Sequence, residues 1–306
     1  MRIENVSIVG MGALGVMYGD FLAEKMGKEH VEFVADSARI DRFKQEGMFC
    51  NGRACDFAIA DEMETGRPAD LLIFAVKATG LEAAIHTVRN KVSKRTIILS
   101  LLNGITSEKI IGDAYGMDPI IHCIVQGMDT IKENNQVTYA HFGHVRLGIH
   151  NENDVKKQNL QDVQDLFDRI GMPYAVEEDI LRRMWCKLML NVGVNQSVMI
   201  HEGTYETVQQ PGIARDVMQA AMKEVILVAQ KENIPITQAD FDEYVALIDT
   251  LSPSGMPSMR QDGLAHRKSE VELFAGTVIH LAEKHGVDVP VNRSIYKTIL
   301  EMESAY

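Results

Sequence analysis

"SIVGMGALG", residues 7–15, runs from an apolar stretch straight into three glycines, Gly10, Gly12 and Gly15, and its reading decides the fold. A strand that turns sharply into a helix leaves backbone N–H groups pointing outward, and a pyrophosphate can sit on them only where side chains are absent. A plain tight turn would use glycine as well. Context separates the two: the spacing is G-x-G-x-x-G, an apolar run precedes it, a helical pattern follows, and the next apolar run ends on an acidic residue, Asp36. Together these predict a dinucleotide-binding βαβ unit. In that unit Gly10 makes the turn, Gly12 admits the pyrophosphate onto a backbone continued by Ala13 and Leu14, and Gly15 lets helix approach strand.

The same alternation continues outward. "VEFVAD" precedes "SARIDRFKQEG", "DLLIFAVK" precedes "GLEAAIHTVRNKV", and "TIILSLLNG" precedes "SEKIIGDAYG". Short apolar runs alternating with helical patterns predict a parallel sheet. Strand-like "HCIVQG", "VTYAHFG" and "HVRLGI" follow, then a helix over 154–170 and a last strand in "YAVEE". Beyond 179 the periodicity is helical, including one long helix over 258–285. The expected fold class is therefore α/β: an N-terminal Rossmann-type, doubly wound sheet over 1–178, binding the dinucleotide, and an all-helical C-terminal domain over 179–306 for substrate and catalysis. A chain of 306 residues exceeds what one core usually holds, which fits two domains.

Charge excludes some partners. With 31 basic and 43 acidic residues the chain carries −12, so nucleic acid and anionic membranes are repelled, and an anionic substrate must find its own local cations. Four cysteines, Cys50, Cys55, Cys123 and Cys186, show no paired spacing, which fits reduced thiols and a cytoplasmic location. His141 and His144 form H-x-x-H on a strand-like stretch with no third ligand, so no metal is expected. No apolar run approaches the ~20 residues of a membrane span. The apolar C-terminal helices are compatible with a homodimer.

Polar residues then stand out at three places. Lys77 ends "LLIFAVK" and Asn103 ends "IILSLLNG"; in an open parallel sheet, strand ends face the ligand crevice, although a lysine or an Asn-Gly turn is ordinary at a strand end. Within "MWCKLMLNVGVNQSVMI", Lys187, Asn191 and Asn195 fall at i, i+4 and i+8, on one arc of an otherwise apolar helix. A polar stripe in a buried helix needs hydrogen-bonding partners, from another element or from a ligand. A lysine so placed can bond a carbonyl oxygen and protonate it.

The G-M-G-A-L-G fingerprint, Lys77, the Asn103 of "LLNG", the "WCKLMLNVGVN" helix and "PSMRQD" followed by "HRKSE" together resemble the ketopantoate reductase family, from residue 3 to about 300. That resemblance implies NADP(H)-dependent reduction of 2-dehydropantoate to pantoate, in pantothenate biosynthesis. It implies Lys187 as general acid and Glu270 of "KSEVE" as the carboxylate holding substrate and lysine. It places Lys77 and Asn103 along the cofactor and substrate cleft, and assigns Asn191, Asn195 and Ser258 to the substrate. Three positions depart from the family's pattern. Asp36 stands where many members carry an arginine for the 2′-phosphate, and an aspartate there favours NAD(H), although Arg39 or Arg42 can compensate. Gln196 replaces a frequent proline, and Gly255 replaces an asparagine of some members. These leave open a paralogue acting on another branched or aromatic 2-oxo acid, of mandelate-dehydrogenase type. A non-catalytic redox sensor is a third reading, which Lys187 with Glu270 opposes, because a sensor needs no proton donor.

Overall fold

The computed structural model describes residues 2–306. Contacts divide them into two compact units, the first ending at Ile180 and the second running Leu181–Tyr306.

The first unit alternates as its sequence patterning requires: β1 (Val6–Val9), α1 (Ala13–Met26), β2 (Val31–Ala35), α2 (Ser37–Glu46), the short β3 (Phe49–Cys50) and β4 (Arg53–Ala54), β5 (Ala58–Asp61), β6 (Leu71–Phe74), α3 (Leu81–Thr87), β7 (Ile97–Ser100), α4 (Ser107–Tyr115), β8 (Ile120–Met128), β9 (Ile131–Glu133), β10 (Gln136–Thr138), β11 (Phe142–Gly148), α5 (Asp154–Ile170) and β12 (Tyr174–Val176). Eight strands form one sheet in the order β12-β11-β8-β7-β6-β1-β2-β5. From β5 to β8 the pairing is parallel, with β11 antiparallel to β8. Every residue of β1, β6 and β7 is buried, as helix cover on both faces demands. The two-residue period sorts them: Leu71 and Ile73 join the core containing Met17 and Phe33, while Leu72 and Phe74 join the one containing Leu81 and Ile111.

One stretch read as a simple strand is divided. "VTYAHFG" splits into β10, which belongs to a second sheet of order β4-β3-β10-β9, and β11. The cause is Asp129, whose Oδ1 takes the N–H groups of Ala140 (2.9 Å) and His141 (2.8 Å), with the His141 ring on Oδ2 at 2.8 Å. His144 instead meets Gln126 at 3.1 Å. The β9–β10 hairpin turns on Asn134, whose φ of 53° an asparagine tolerates.

The second unit is helical: α6 (Ile180–Ile200), α7 (Tyr205–Gln209), α8 (Ile213–Lys231), α9 (Gln238–Asp249), α10 (Ser258–Leu264), α11 (Thr277–His285) and α12 (Pro290–Glu303). Gly193 sets the approach of α6 to α8, since a Cβ there would lie 2.5 Å from Met222 Cγ. The single helix expected over 258–285 is broken. The Asp262 carbonyl accepts from the N–H groups of Ala265 (3.1 Å) and Arg267 (2.9 Å), His266 takes φ 49°, and Arg267 Nε bonds Asp262 Oδ1 at 2.9 Å. The chain resumes in a widened π-turn, Glu272–Gly276, that feeds α11.

Fully buried Gln196 joins that turn to α6. Its Oε1 accepts from the Ala275 N–H at 3.1 Å and its Nε2 donates to the Val192 carbonyl at 2.8 Å. The π-turn disturbs the i→i−4 ladder, and the side chain supplies an acceptor there. Gln196→Leu should therefore strand a buried donor and lower stability by about 1–3 kcal/mol, read as a lower denaturant midpoint at unchanged slope.

On β8, burial pushes the imidazole of His122 down to about 4, with the charges of His150 and Lys156 acting in the same direction. The unfolded chain takes up this proton near 6.5, the folded chain only near 4. His122 thus favours folding fully above 6.5, and that contribution fades as pH falls toward 4; its size is on the order of 3 kcal/mol. Stability curves from pH 7 to 4 should fall more gently for His122→Gln than for the unaltered protein.

Candidate active site

In the first unit, neighbouring β1 and β6 carry the chain away in opposite directions, and the glycine loop sits at that switch point. Gly10, at φ 106°, lies so close to β6's continuation that a Cβ would stand 2.6 Å from the Ala75 carbonyl. A Cβ on Gly15 would stand 2.0 Å from the Gly10 carbonyl oxygen. Gly12 differs: its nearest protein atom would be at 3.6 Å, and the residue is exposed. Packing explains the outer two glycines and leaves the middle one to another cause. No side chain caps α1, and its first turn holds no acidic residue, so the N–H groups around Ala13 and Leu14 end a helix whose dipole favours an anion. These features fit a dinucleotide pyrophosphate.

The remaining candidates of this unit lie along the same carboxyl edge. Asp36 follows β2 and caps α2: its Oδ1 accepts the Arg39 N–H at 2.8 Å, and its Oδ2 is ion-paired with the Arg39 guanidinium. Lys77 follows β6 and is exposed; Asn103 follows β7 and is half-buried.

Sequence reading passed over one residue here. Lys132 on β9 sends its Nζ to the carbonyl of Met11, between Gly10 and Gly12, at 2.6 Å. Burial lowers the affinity of this ammonium for its proton, the charge of Arg42 lowers it further, and Glu46 opposes them. A three-residue strand running into an asparagine turn gives only a faint sequence signal, "TIKENNQVT".

In the second unit, α6 carries Lys187, Asn191 and Asn195 on one arc. Lys187 is half-buried, and the two asparagines are each 8% exposed among fully enclosed Met189, Val192 and Val198. Ser258 opens α10 and is exposed. Glu270 is half-buried where the chain enters the π-turn. Its carbonyl accepts from Leu273 (3.0 Å) and Phe274 (3.1 Å), and the neighbouring Ser269 N–H is held by Glu303 at 2.8 Å. Gln196, next to Asn195, bonds that same turn, so the helix bearing Lys187 and the segment bearing Glu270 are tied through backbone groups. That role makes Gln196 a packing element. Gly255 abuts Tyr205, where a Cβ would lie 3.0 Å from the ring, and its carbonyl accepts the Tyr205 N–H at 2.9 Å.

Among described residues no group of three or more His, Cys, Asp or Glu could hold a metal ion, and no helix is long and apolar enough to cross a membrane. The profile of ketopantoate reductase PanE/ApbA matches residues 6–152, and that of the ketopantoate reductase PanE/ApbA C terminal matches residues 179–303. The 2-dehydropantoate 2-reductase of Vibrio cholerae is 26% identical over 238 residues, 78% of this chain and 79% of that protein. Its counterpart from Aquifex aeolicus is 25% identical over 309 residues, 97% and 96% of the two chains. Among solved structures, D-mandelate dehydrogenase with NADH and anilino(oxo)acetate overlays at a TM-score of 0.86 with 23% identity, covering 98% of this chain and 99% of its own. A dimeric ketopantoate reductase from Staphylococcus aureus overlays at 0.80 with 20% identity and the same coverage. At such identities the overlays speak for the fold alone, whereas the two profiles between them account for both units. The chain belongs to the ketopantoate reductase family of nicotinamide-dependent oxidoreductases.

Proposed function

We propose that this enzyme reduces the 2-oxo group of 2-dehydropantoate (ketopantoate) to the alcohol of pantoate, with Lys187 as proton donor, as a step of pantothenate biosynthesis. The observation that carries the reading is the Lys187–Asn191–Asn195 stripe on α6, three polar side chains on one arc of an apolar, largely enclosed helix, the arrangement a bound oxo acid can use. A reduced nicotinamide dinucleotide, held by the Gly10–Gly15 loop with Asp36, Lys77 and Asn103 beside it, supplies the hydride. The ammonium of Lys187 hydrogen-bonds the oxo oxygen, draws electron density from its carbon, and gives that oxygen a proton as the carbon becomes tetrahedral. Asn191, Asn195, Asn103 and Ser258 offer neutral donors to carboxylate and hydroxyl, and the Lys187 ammonium is the local cation that an anion needs on a protein of net charge −12. Glu270 accepts from the substrate hydroxyl and fixes the Lys187 ammonium. The reading takes a cytoplasmic enzyme with reduced thiols, assembled as a homodimer like the Staphylococcus aureus protein.

A second reading keeps the chemistry and changes the substrate to an aromatic 2-oxo acid, which the departure at Gly255 leaves open. At that position, where some family members carry an asparagine, Gly255 packs on the Tyr205 ring. Absorbance loss at the reduced nicotinamide band, with ketopantoate and then a panel of branched and aromatic 2-oxo acids, decides between them. In the same assay Lys187→Ala should lower kcat by about 10²–10⁴-fold while titration with the dinucleotide is unchanged. Retained turnover would remove Lys187 from the proton-transfer step.

A further inference from the structure

Resting on the dinucleotide reading above, we infer that Lys132, seconded by Arg42, recognises the 2′-phosphate of NADP(H) and sets cofactor choice in spite of Asp36. The acidic residue closing β2 is the usual partner of a ribose 2′-hydroxyl, which places the adenosine ribose between the glycine loop and the start of α2. Lys132 reaches the loop side of that space, at the Met11 carbonyl 2.6 Å away. The charge of Arg42, on α2, is felt at the Lys132 ammonium.

Asp36 is poorly placed to exclude a phosphate there. One carboxylate oxygen holds the Arg39 N–H and the other its guanidinium, so its charge is already balanced locally. Asp36 is matched by Arg39, Glu46 opposes Arg42 beside Lys132, and Asp61 accepts from Ser37 Oγ at the start of α2 at 2.9 Å, so this edge carries both signs and Lys132 is the cation on its loop side.

Lys132 is also preorganised. Thr130 Oγ1 contacts Met17 Sδ on α1 at 2.9 Å, and Asn135 Nδ2 donates to the Glu46 carbonyl at the end of α2, at 2.7 Å. The hairpin that carries the lysine is therefore pinned at both ends, to the two helices that bound the ribose space. An ammonium has three N–H donors, and the Met11 carbonyl takes one. Holding it half-buried beside a second cation penalises its charge, and a doubly charged phosphate oxygen cluster reverses that penalty.

Calorimetric titration of the full chain and Lys132→Gln with NADP⁺, NAD⁺, adenosine 2′,5′-bisphosphate and 5′-AMP tests this without turnover, with thermal melts checking the variant's fold. The unaltered protein should bind NADP⁺ more tightly than NAD⁺. Lys132→Gln should weaken NADP⁺ and the bisphosphate by about tenfold or more, NAD⁺ and 5′-AMP by less than about twofold, and Lys132→Arg should recover most of the loss. Equal weakening of NADP⁺ and NAD⁺ would assign Lys132 to the pyrophosphate or to propping the glycine loop and overturn the inference, as would tighter binding of NAD⁺ by the unaltered protein. If neither dinucleotide binds the unaltered protein, the dinucleotide reading falls first and this one with it.

Discussion

The close approach of Gly15 to the Gly10 carbonyl is the constraint from which the first unit follows. With no room for a methyl between them, α1 starts directly on the end of β1, and its N–H groups point past Gly12 into open space. Gly10 must also take a positive φ against Ala75, which locks β1 beside β6 at the place where the sheet reverses its order. Once that corner is set, parallel pairing brings the ends of β2, β6 and β7, and hence Asp36, Lys77 and Asn103, to the same edge. The outer two glycines answer to packing. The middle one has no such packing reason, and that pattern of need is what separates a binding loop from a turn.

Wherever burial repeats with a short period, the sequence was readable. The runs "VSIV", "LLIF" and "IILS" are enclosed on both faces, so their composition reports their environment directly. β3 and β4 were invisible because two residues make no period, and their pairing is decided by distant partners such as Val137 opposite Cys50. The break after α10 was hidden for a related reason: the apolar residues on either side keep a helix-like spacing, while the interruption comes from Asp262 turning its carbonyl and carboxylate onto the next five residues. Long-range and side-chain-to-backbone bonds leave little trace in hydrophobic periodicity.

That break matters to the second unit's chemistry. An uninterrupted helix would carry the residues from Ser258 onward at fixed angular steps; the loop frees Glu270 from that register and places it before a widened turn. π-turns are energetically poorer than regular helix and are retained where they re-aim a side chain. Here the cost is offset by Gln196, whose amide faces both its own helix and the turn. In isolation Gln196 looked like a departure bearing on substrate; its enclosure assigns it to holding the two catalytic candidates' backbones together.

Asp36 shows why a single side chain is an unsafe guide to an ionic ligand. What a phosphate meets is a local field, and at physiological salt that field is confined to about 8 Å. A net charge of −12 spread over the molecule therefore matters less at this edge than the groups beside it. Four of these, Asp36, Arg39, Arg42 and Glu46, sit within one stretch of sequence and can be seen there, but their pairing cannot: Arg39 turns back onto the carboxylate it follows, so the acid that would repel a phosphate is already matched. Lys132 lies some ninety residues downstream and enters only because the second sheet packs its hairpin on α1 and α2. On the proposed role of Lys132, cofactor choice in this chain depends on the small sheet's docking as much as on the residue at the end of β2.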